Sequence, residues 1–142
     1  MVRVLTGHKA AILCLSFSPC GRWLASGGED RRVRVWDLAQ GSLLKELKGH
    51  LDTVHCLAWS KDSRVLATGG QDGAVKLWDV SLAGSSDGHS SPELLANYPT
   101  GGSTVLSLQY SDTNTLVAVA SVETSYLETI SETSKQNSTD SF

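Results

Sequence analysis

A stretch of 32 residues occurs twice in this chain, with an offset of 42 positions. Residues 7–38 align with residues 49–80, and fourteen of the 32 aligned pairs are identical. Each copy opens with Gly-His and ends near Trp-Asp, at Gly7-His8 and Trp36-Asp37 and again at Gly49-His50 and Trp78-Asp79. A repeat of this length indicates a supersecondary unit that buries its apolar face against neighbouring copies. The chain is therefore expected to fold by stacking similar units.

Within each copy, runs of strand length alternate with turn-forming residues such as Gly, Pro, Asp and Ser. This alternation predicts an all-β fold of up-and-down antiparallel sheets. The predicted strands are Ala11–Ser18, Trp23–Gly27, Val33–Leu38 and Ser42–Leu47, then Val54–Ser60, Val65–Gly69 and Val75–Val80.

The chain divides into segments on both sides of the two copies. Residues 1–6 are predicted as the outer strand of a preceding unit, 7–48 as one unit and 49–80 as the first three strands of the next. The Ser/Gly composition of residues 81–91 predicts a flexible insert. Within residues 92–120 we predict the displaced outer strand Leu94–Tyr98 and a half unit of two strands, Val105–Ser111 and Leu116–Ala120. Residues 121–142 are rich in Ser and Thr and are predicted to be disordered.

Composition and charge limit the class of protein. Residues 1–120 carry 11 basic and 11 acidic side chains, so the body of the chain lacks the basic excess on which direct nucleic-acid binding depends. The sequence contains no run of 18 or more apolar residues, which a membrane-spanning helix requires. The first residues lack the apolar core of a signal peptide. We also find no cofactor motif or metal-ligand cluster. We expect neither nucleic acid, membrane, small molecule, metal nor cofactor as a partner.

The three cysteines fit neither a zinc site nor a disulfide framework. They are Cys14, Cys20 and Cys56, and Cys14 and Cys56 occupy the same repeat position. We therefore predict that Cys14 and Cys56 are small buried apolar residues.

The repeat resembles the WD-repeat β-propeller family, in which a unit of 40 to 45 residues with Gly-His and Trp-Asp signatures forms a four-stranded blade. The resemblance implies two blades plus parts of two others. Closed propellers contain four to eight blades, so a partial ring would leave apolar flanks exposed around Leu13, Val33, Val75 and Tyr110. A fragment of a longer protein, a truncated product or a piece completed by another chain would each account for this; we favour a fragment.

Four polar residues recur at fixed offsets and resemble the family's hydrogen-bond chain of Trp, Ser or Thr, His and Asp. An indole N–H can only donate, a hydroxyl and a neutral imidazole can donate and accept, and a carboxylate ends the chain as an acceptor. A Ser/His/Asp set also invites a hydrolase interpretation, but the set occurs twice, each time with a Trp and without a nucleophile elbow. We predict a structural role and no enzyme activity for His8, Ser26, Asp30, Trp36, His50, Thr68, Asp72 and Trp78.

Function in such a chain is expected on exposed loops. Because connections alternate between the ends of a meander, the loops after His8 and His50 share one face with the turns at residues 29–31 and 71–73. Our candidate partner contacts on this face are Lys9, Glu29, Arg31, Asp52 and Gln71. The arginine cluster Arg31, Arg32 and Arg34 is interpreted as a solvated strand-and-turn edge.

The segment from Glu46 to Val54, together with the insert and the half unit, resembles the subfamily of TFIID subunit 5 and its paralogue in SAGA-type complexes. The resemblance covers about residues 1–120 and implies a nuclear scaffold that docks histone-fold subunits of a transcription complex. A substrate receptor or adaptor in a ubiquitin-ligase or signalling complex is the alternative. Receptors that dock on a cullin adaptor through a propeller commonly carry Trp-Asp-x-Arg, whereas the fourth positions here are Ala39 and Ser81.

Overall fold

The computed structural model describes residues 2–81 and 94–121, which form ten β-strands. Apart from the strand predicted over residues 1–6, each predicted strand end lies within one residue of the observed end, because apolar alternation and turn formers mark both limits. The strands are β1 Ile12–Phe17, β2 Trp23–Gly28, β3 Arg32–Asp37, β4 Ser42–Lys48, β5 Val54–Trp59, β6 Val65–Gly70, β7 Ala74–Asp79, β8 Leu94–Pro99, β9 Thr104–Tyr110 and β10 Leu116–Ser121.

These strands form three antiparallel sheets in which each strand pairs with its neighbour in sequence. The first sheet has the order β1-β2-β3-β4, the second has β5-β6-β7-β8, and the third contains β9 and β10. We call the three sheets the first blade, the second blade and the half blade. The predicted all-β partial propeller is confirmed. No helix in the described residues is long and apolar enough to cross a membrane.

The turn between the first two strands of each blade needs the same backbone conformation. Gly21, Ser63 and Asn114 stand at this point, with φ angles of 76°, 61° and 61°. Glycine adopts this left-handed region without a steric cost, and Asn tolerates it better than most residues. The turn geometry is therefore repeated although the residue type is not.

Neighbouring blades pack through small residues on one side and β-branched residues on the other. Val54 is fully buried against Gly27, and a Cβ built on Gly27 would lie 2.8 Å from Val54 Cγ1. Val105 meets Gly69 in the same way, at 2.7 Å. Both distances are too short for a real contact, so the close approach of the blades depends on glycine at these two positions.

Hydrogen bonds also join the first blade to the second, among them one from Cys14 Sγ to the carbonyl oxygen of Val54 at 3.7 Å. The indole Nε1 of Trp59 donates to the carbonyl oxygen of Ser16 at 3.0 Å. At the end of the same interface, the backbone N–H of Cys20 donates to Ser63 Oγ, also at 3.0 Å. These bonds satisfy polar groups at a boundary that is otherwise apolar.

The first blade presents an apolar face that no described sheet covers. Ile12, Leu15 and Phe17 are 47%, 62% and 66% exposed, and we call these three residues the leading flank. Their repeat equivalents in the second blade lie against the first blade, where Val54 is fully buried and Trp59 is 6% exposed. The difference between the copies comes from the presence or absence of a neighbouring sheet.

The predicted exposure of apolar flanks was only partly right. Leu13 is 45% exposed and Tyr110 is half-buried, but Val33 and Val75 are buried. Both valines lie on strands whose faces pack into the clusters between blades. The prediction was wrong for them because the next blade, which this chain contains, covers them.

The strand predicted over residues 1–6 is not formed in the structure. Residues 2–7 belong to none of the described sheets, although Arg3 Nη2 donates to the carbonyl oxygen of Ala39 at 3.1 Å. A strand needs a neighbour for its backbone hydrogen bonds. The predicted insert at residues 81–91 and the predicted tail at residues 121–142 lie outside the described residues, apart from Ser81 and Ser121, and Ser121 is the last residue of β10.

We expect Trp59→Phe to lower the free energy of unfolding by about 1 to 3 kcal/mol, because it removes the donor to the Ser16 carbonyl at a buried boundary. Phe17→Leu is the matched control, since Phe17 occupies the same repeat position but is exposed. Its effect should stay within about 0.5 kcal/mol. Chemical denaturation of both variants measures the difference, and equal losses would contradict the assigned blade boundary.

Candidate functional site: a buried polar chain beneath an exposed loop face

In the first blade the four recurrent polar residues form one continuous hydrogen-bonded chain. The indole Nε1 of Trp36 donates to Ser26 Oγ at 2.9 Å, and Ser26 Oγ lies 2.6 Å from His8 Nε2. The other ring nitrogen, Nδ1, lies 2.8 Å from Asp30 Oδ2. This hydrogen-bonded chain begins in the third strand and passes through the second strand to the loop that precedes the first. It ends at Asp30, in the turn between the second and third strands.

The second blade repeats this arrangement closely. Trp78 Nε1 donates to Thr68 Oγ1 at 2.9 Å, Thr68 Oγ1 lies 2.5 Å from His50 Nε2, and His50 Nδ1 lies 2.8 Å from Asp72 Oδ2. Thr68 is fully buried and His50 is 5% exposed. The two copies thus agree to within 0.1 Å at each of the three contacts.

The chemistry of the end groups sets the direction of each bond. A carboxylate accepts only, so His50 Nδ1 carries the proton and donates to Asp72. His50 Nε2 then accepts from the Thr68 hydroxyl, whose oxygen accepts from Trp78. Burial lowers the pKa of His50 below its ordinary value of 6.5, against the opposing effect of Asp72. The neutral imidazole that this direction requires is therefore the form present near neutral pH.

Both carboxylates are held ionised at the loop end of their chains. Burial raises the pKa of Asp30, but hydrogen bonds from His8, from the backbone N–H groups of Arg32 and Lys9 and from Arg34 outweigh it and lower the pKa to about 2. Burial likewise raises the pKa of Asp72, and His50 with the backbone N–H groups of Ala74 and Leu51 reverses that effect, so the pKa lies below 3.8.

The first blade extends its chain by an ion pair that sequence reasoning missed. Arg34 is 6% exposed and donates to Asp30 Oδ2 at 2.9 Å and to Glu46 Oε1 at 3.1 Å. The interpretation of Arg34 as part of a solvated edge was wrong, because its guanidinium lies between two carboxylates. The second blade has Lys76 at this position, and Lys76 donates to Asn97 Oδ1. The sequence places Arg34 and Glu46 on consecutive strands, but their pairing depends on the register between those strands.

The hydrogen-bonded chain leaves neither of its two hydroxyls available to a substrate. Ser26 is 2% exposed and Thr68 is fully buried, and each hydroxyl oxygen has both an indole and an imidazole as partners. A nucleophile must reach a reacting atom with its lone pair. In this geometry the Ser/His/Asp and Thr/His/Asp sets hold strands and loops together.

The five candidate contact residues lie on one loop face, and all are exposed. The carboxylates fix this face from below: Asp30 accepts from the backbone N–H of Lys9 at 3.2 Å, and Asp72 accepts from that of Leu51 at 3.1 Å. The neighbouring turns are tied to it by the bonds from Glu29 N to Ala11 O and from Gln71 N to Thr53 O, both 2.9 Å. The five residues are Lys9, Glu29, Arg31, Asp52 and Gln71. We call this surface the loop face.

Leu51 lies in the loop predicted to form this face but was not among the predicted contact residues. Leu51 is 81% exposed, and its repeat equivalent is Lys9. An apolar side chain directly after His50, where the first copy has a lysine, was the signal that could have identified it. Large exposed apolar side chains beside polar ones are common features of protein contact surfaces.

The two cysteines of the repeat lie at the blade interfaces. Cys56 is 8% exposed, whereas Cys14 is half-buried. Burial raises the pKa of both thiols to about 12, which keeps them protonated.

Comparison with family models assigns the repeats. Residues 1–37 and 41–79 match the family described as "WD domain, G-beta repeat". This match covers more than half of the chain, and the chain belongs to this family of WD-repeat proteins.

The relatives found by sequence match stretches of this chain that are about one repeat long. The protein is 41% identical over 44 residues to the ribosome biogenesis protein bop1-A of Xenopus laevis, which is 31% of this chain and 6% of that relative. It is 56% identical over 36 residues to the Notchless protein homolog of Arabidopsis thaliana, which is 25% of this chain and 8% of the relative. Pleiotropic regulator 1 of Bos taurus is 38% identical over 43 residues, 30% of this chain and 8% of the relative. The chain therefore spans less than a tenth of the length of these curated relatives.

We expect His50→Ala to destabilise the protein more than His8→Ala. Each substitution removes the link between a buried hydroxyl and a carboxylate, at a cost of about 1 to 3 kcal/mol. Asp30 keeps Arg34 as a charged partner when His8 is lost, whereas Asp72 keeps only backbone N–H donors when His50 is lost. Thermal and chemical unfolding of both variants measure the order, and a larger effect of His8→Ala would overturn it.

We also expect the free energy of unfolding to fall as the pH drops from 7 to 5. The pKa of His50 is lower in the folded protein than in the unfolded chain, so the unfolded chain takes up a proton that the folded protein excludes. Asp30 acts in the same direction at lower pH, since its contribution is lost as the pH falls from about 4 toward its folded pKa of about 2. Denaturation at several pH values should show a shallower dependence between pH 7 and 5 in His50→Gln, and an unchanged slope would contradict the assignment.

Proposed function

We propose that this protein is a non-catalytic scaffold in which the loop face binds other protein subunits. The proposal places it in the nucleus, in a TFIID or SAGA-type transcription complex, with histone-fold subunits as its partners. It assigns no cofactor, small molecule, nucleic acid or membrane to the chain.

The observation that carries the scaffold proposal is a contrast between the two copies of the repeat. The buried polar chain uses His, Asp and Trp at the same positions in both blades and exchanges only Ser for Thr. The loop face differs at every equivalent position: Lys9 and Leu51, Ala10 and Asp52, Glu29 and Gln71, Arg31 and Gly73. The buried residues are thus nearly the same in both copies, whereas the exposed residues above them differ. This is the pattern expected of a framework that keeps its geometry while it presents specific contacts.

Charge also differs across the loop face. The first blade contributes the cations Lys9 and Arg31 beside Glu29, and the second contributes Asp52 beside the exposed Leu51. A surface with both signs of charge and an apolar side chain suits a folded protein partner better than a polyanion. This supports protein subunits as the partners.

The transcription-complex part of the proposal rests on the resemblance of the segment from Glu46 to Val54 and of the half blade to the TFIID and SAGA subfamily. The family match ends at residue 79 and so does not extend to the half blade. A role in ribosome assembly is the second candidate, because two kinds of relatives are named ribosome biogenesis proteins. Those matches are 44 and 41 residues long, about the length of one repeat.

Affinity purification of the tagged full chain from cells, with identification of bound proteins by mass spectrometry, tests the proposal. Histone-fold subunits of TFIID or SAGA are the expected result. Recovery of ribosome assembly factors, or of cullin adaptors, in their place would overturn the transcription role.

A charge-reversal pair tests the loop face itself. We expect the double variant Lys9→Glu and Arg31→Glu to lose most of the bound protein, because both side chains are exposed on that face. Arg64→Glu is the matched control: Arg64 is also exposed, and it lies in the turn between β5-β6 at the opposite end of the blade. Equal binding by both variants would show that partners use a different surface.

A further inference from the structure

At the end opposite to the leading flank, the stack has a second surface that none of the described sheets covers. Leu108, Leu116 and Ala118 of the half blade pack against the second blade. Alternation along β9 and β10 therefore turns the intervening side chains to the outer face. We call this outer face the trailing flank; its residues are Ser107, Gln109, Val117 and Val119.

Both blade interfaces in the chain show how a trailing face accepts the next blade. The first strand of the incoming blade, β5, packs against β1 and β2 of the blade before it, and β9 packs in the same way against β5 and β6. The receiving positions are small, with Ala25 and Gly27 in the first blade and Ala67 and Gly69 in the second. A Cβ at either glycine would lie within 3 Å of the incoming valine.

Strand register identifies the equivalent positions in the half blade. Gly69 pairs with Cys56 in the second blade, and Val119 pairs with Ser107 in the half blade. Ala67 pairs with Ala58, and Val117 pairs with Gln109. Valine therefore stands on the trailing flank at the two positions where the complete blades have alanine and glycine.

We propose that Val117 and Val119 prevent the trailing flank from accepting another blade of this type, and that they thereby stop the chain from stacking head to tail on a second copy. The leading flank of a second copy would bring Ile12 to the position that Val54 and Val105 occupy in the two existing interfaces. Since a single Cβ is already too much at Gly27 and Gly69, an isopropyl group at residue 119 excludes that approach. The proposal concerns the flanks and is independent of the function assigned to the loop face.

Replacing the two valines by small residues should allow one copy of the chain to stack on another. In sedimentation velocity over a range of concentrations, the double variant Val117→Ala and Val119→Gly should associate at least about tenfold more strongly than the wild type. Adding Phe17→Asp should abolish this gain, because Phe17 lies on the leading flank of the incoming copy and is 66% exposed.

Two controls separate steric exclusion from a general change in the surface. Val117→Ala with Val119→Ala keeps a Cβ at the critical position and should behave as the wild type does. Leu106→Ala removes an exposed apolar side chain from β9 without changing the receiving positions, and should also leave association unchanged.

Circular dichroism and thermal unfolding of each variant check that the strands are retained, since glycine lowers strand stability. If the glycine variant loses its strand signal, Ile12→Ala combined with Val117→Ala and Val119→Ala makes room from both sides and should associate in its place. The proposal is overturned if neither variant gains association, if the gain survives Phe17→Asp, if the wild type already stacks through Phe17, or if the two-alanine control alone associates as strongly as the glycine variant.

Discussion

Each of the two four-stranded blades depends on a buried donor that needs an acceptor, the indole N–H of the tryptophan in its third strand. An indole N–H cannot accept, and leaving it unpaired inside a sheet would cost about 1 to 3 kcal/mol. The hydroxyl of Ser26 or Thr68 meets this need from the adjacent strand, and the same hydroxyl donates a hydrogen bond to a histidine. The histidine can accept it only while its other nitrogen donates to an aspartate, so all four groups depend on one another.

This dependence connects the interior to the surface. The aspartate that ends each hydrogen-bonded chain also accepts hydrogen bonds from two backbone N–H groups. One belongs to the loop after the histidine, and the other belongs to the turn that follows the aspartate. Loops of this length usually have considerable conformational freedom, because few of their backbone groups have fixed partners. Here a carboxylate holds the loops, and this carboxylate is linked to the tryptophan through the histidine and the hydroxyl. The exposed side chains therefore lie on loops whose backbone is held in place.

Sequence predicted the strands well and the contacts between blades poorly. The ends of strands such as Val54–Trp59 follow from local alternation and from turn formers, which are visible without tertiary structure. The partners of Arg34 are not local in this sense, since Glu46 belongs to another strand and its distance depends on register. Whether Val33 or Phe17 is buried depends on which neighbouring sheet is present, and no property of the individual strand records this. The repeat offset did pick out the four recurrent residues that are hydrogen-bonded in each blade, because a set that recurs at equal spacing reflects a common geometry.

The backbone at Arg31 adds a physical reason to regard the loop face as more than a connection. Arg31 has a φ angle of 64°, in the left-handed region where its repeat equivalent is Gly73, with a φ of 71°. A residue with a Cβ is less stable there than glycine by about 1 kcal/mol or more. The second blade shows that glycine satisfies the same turn, so the fold has no need of arginine at this point. Arg31 therefore contributes an exposed cation to the loop face at a small cost in backbone stability, which fits the protein-contact role proposed for that face.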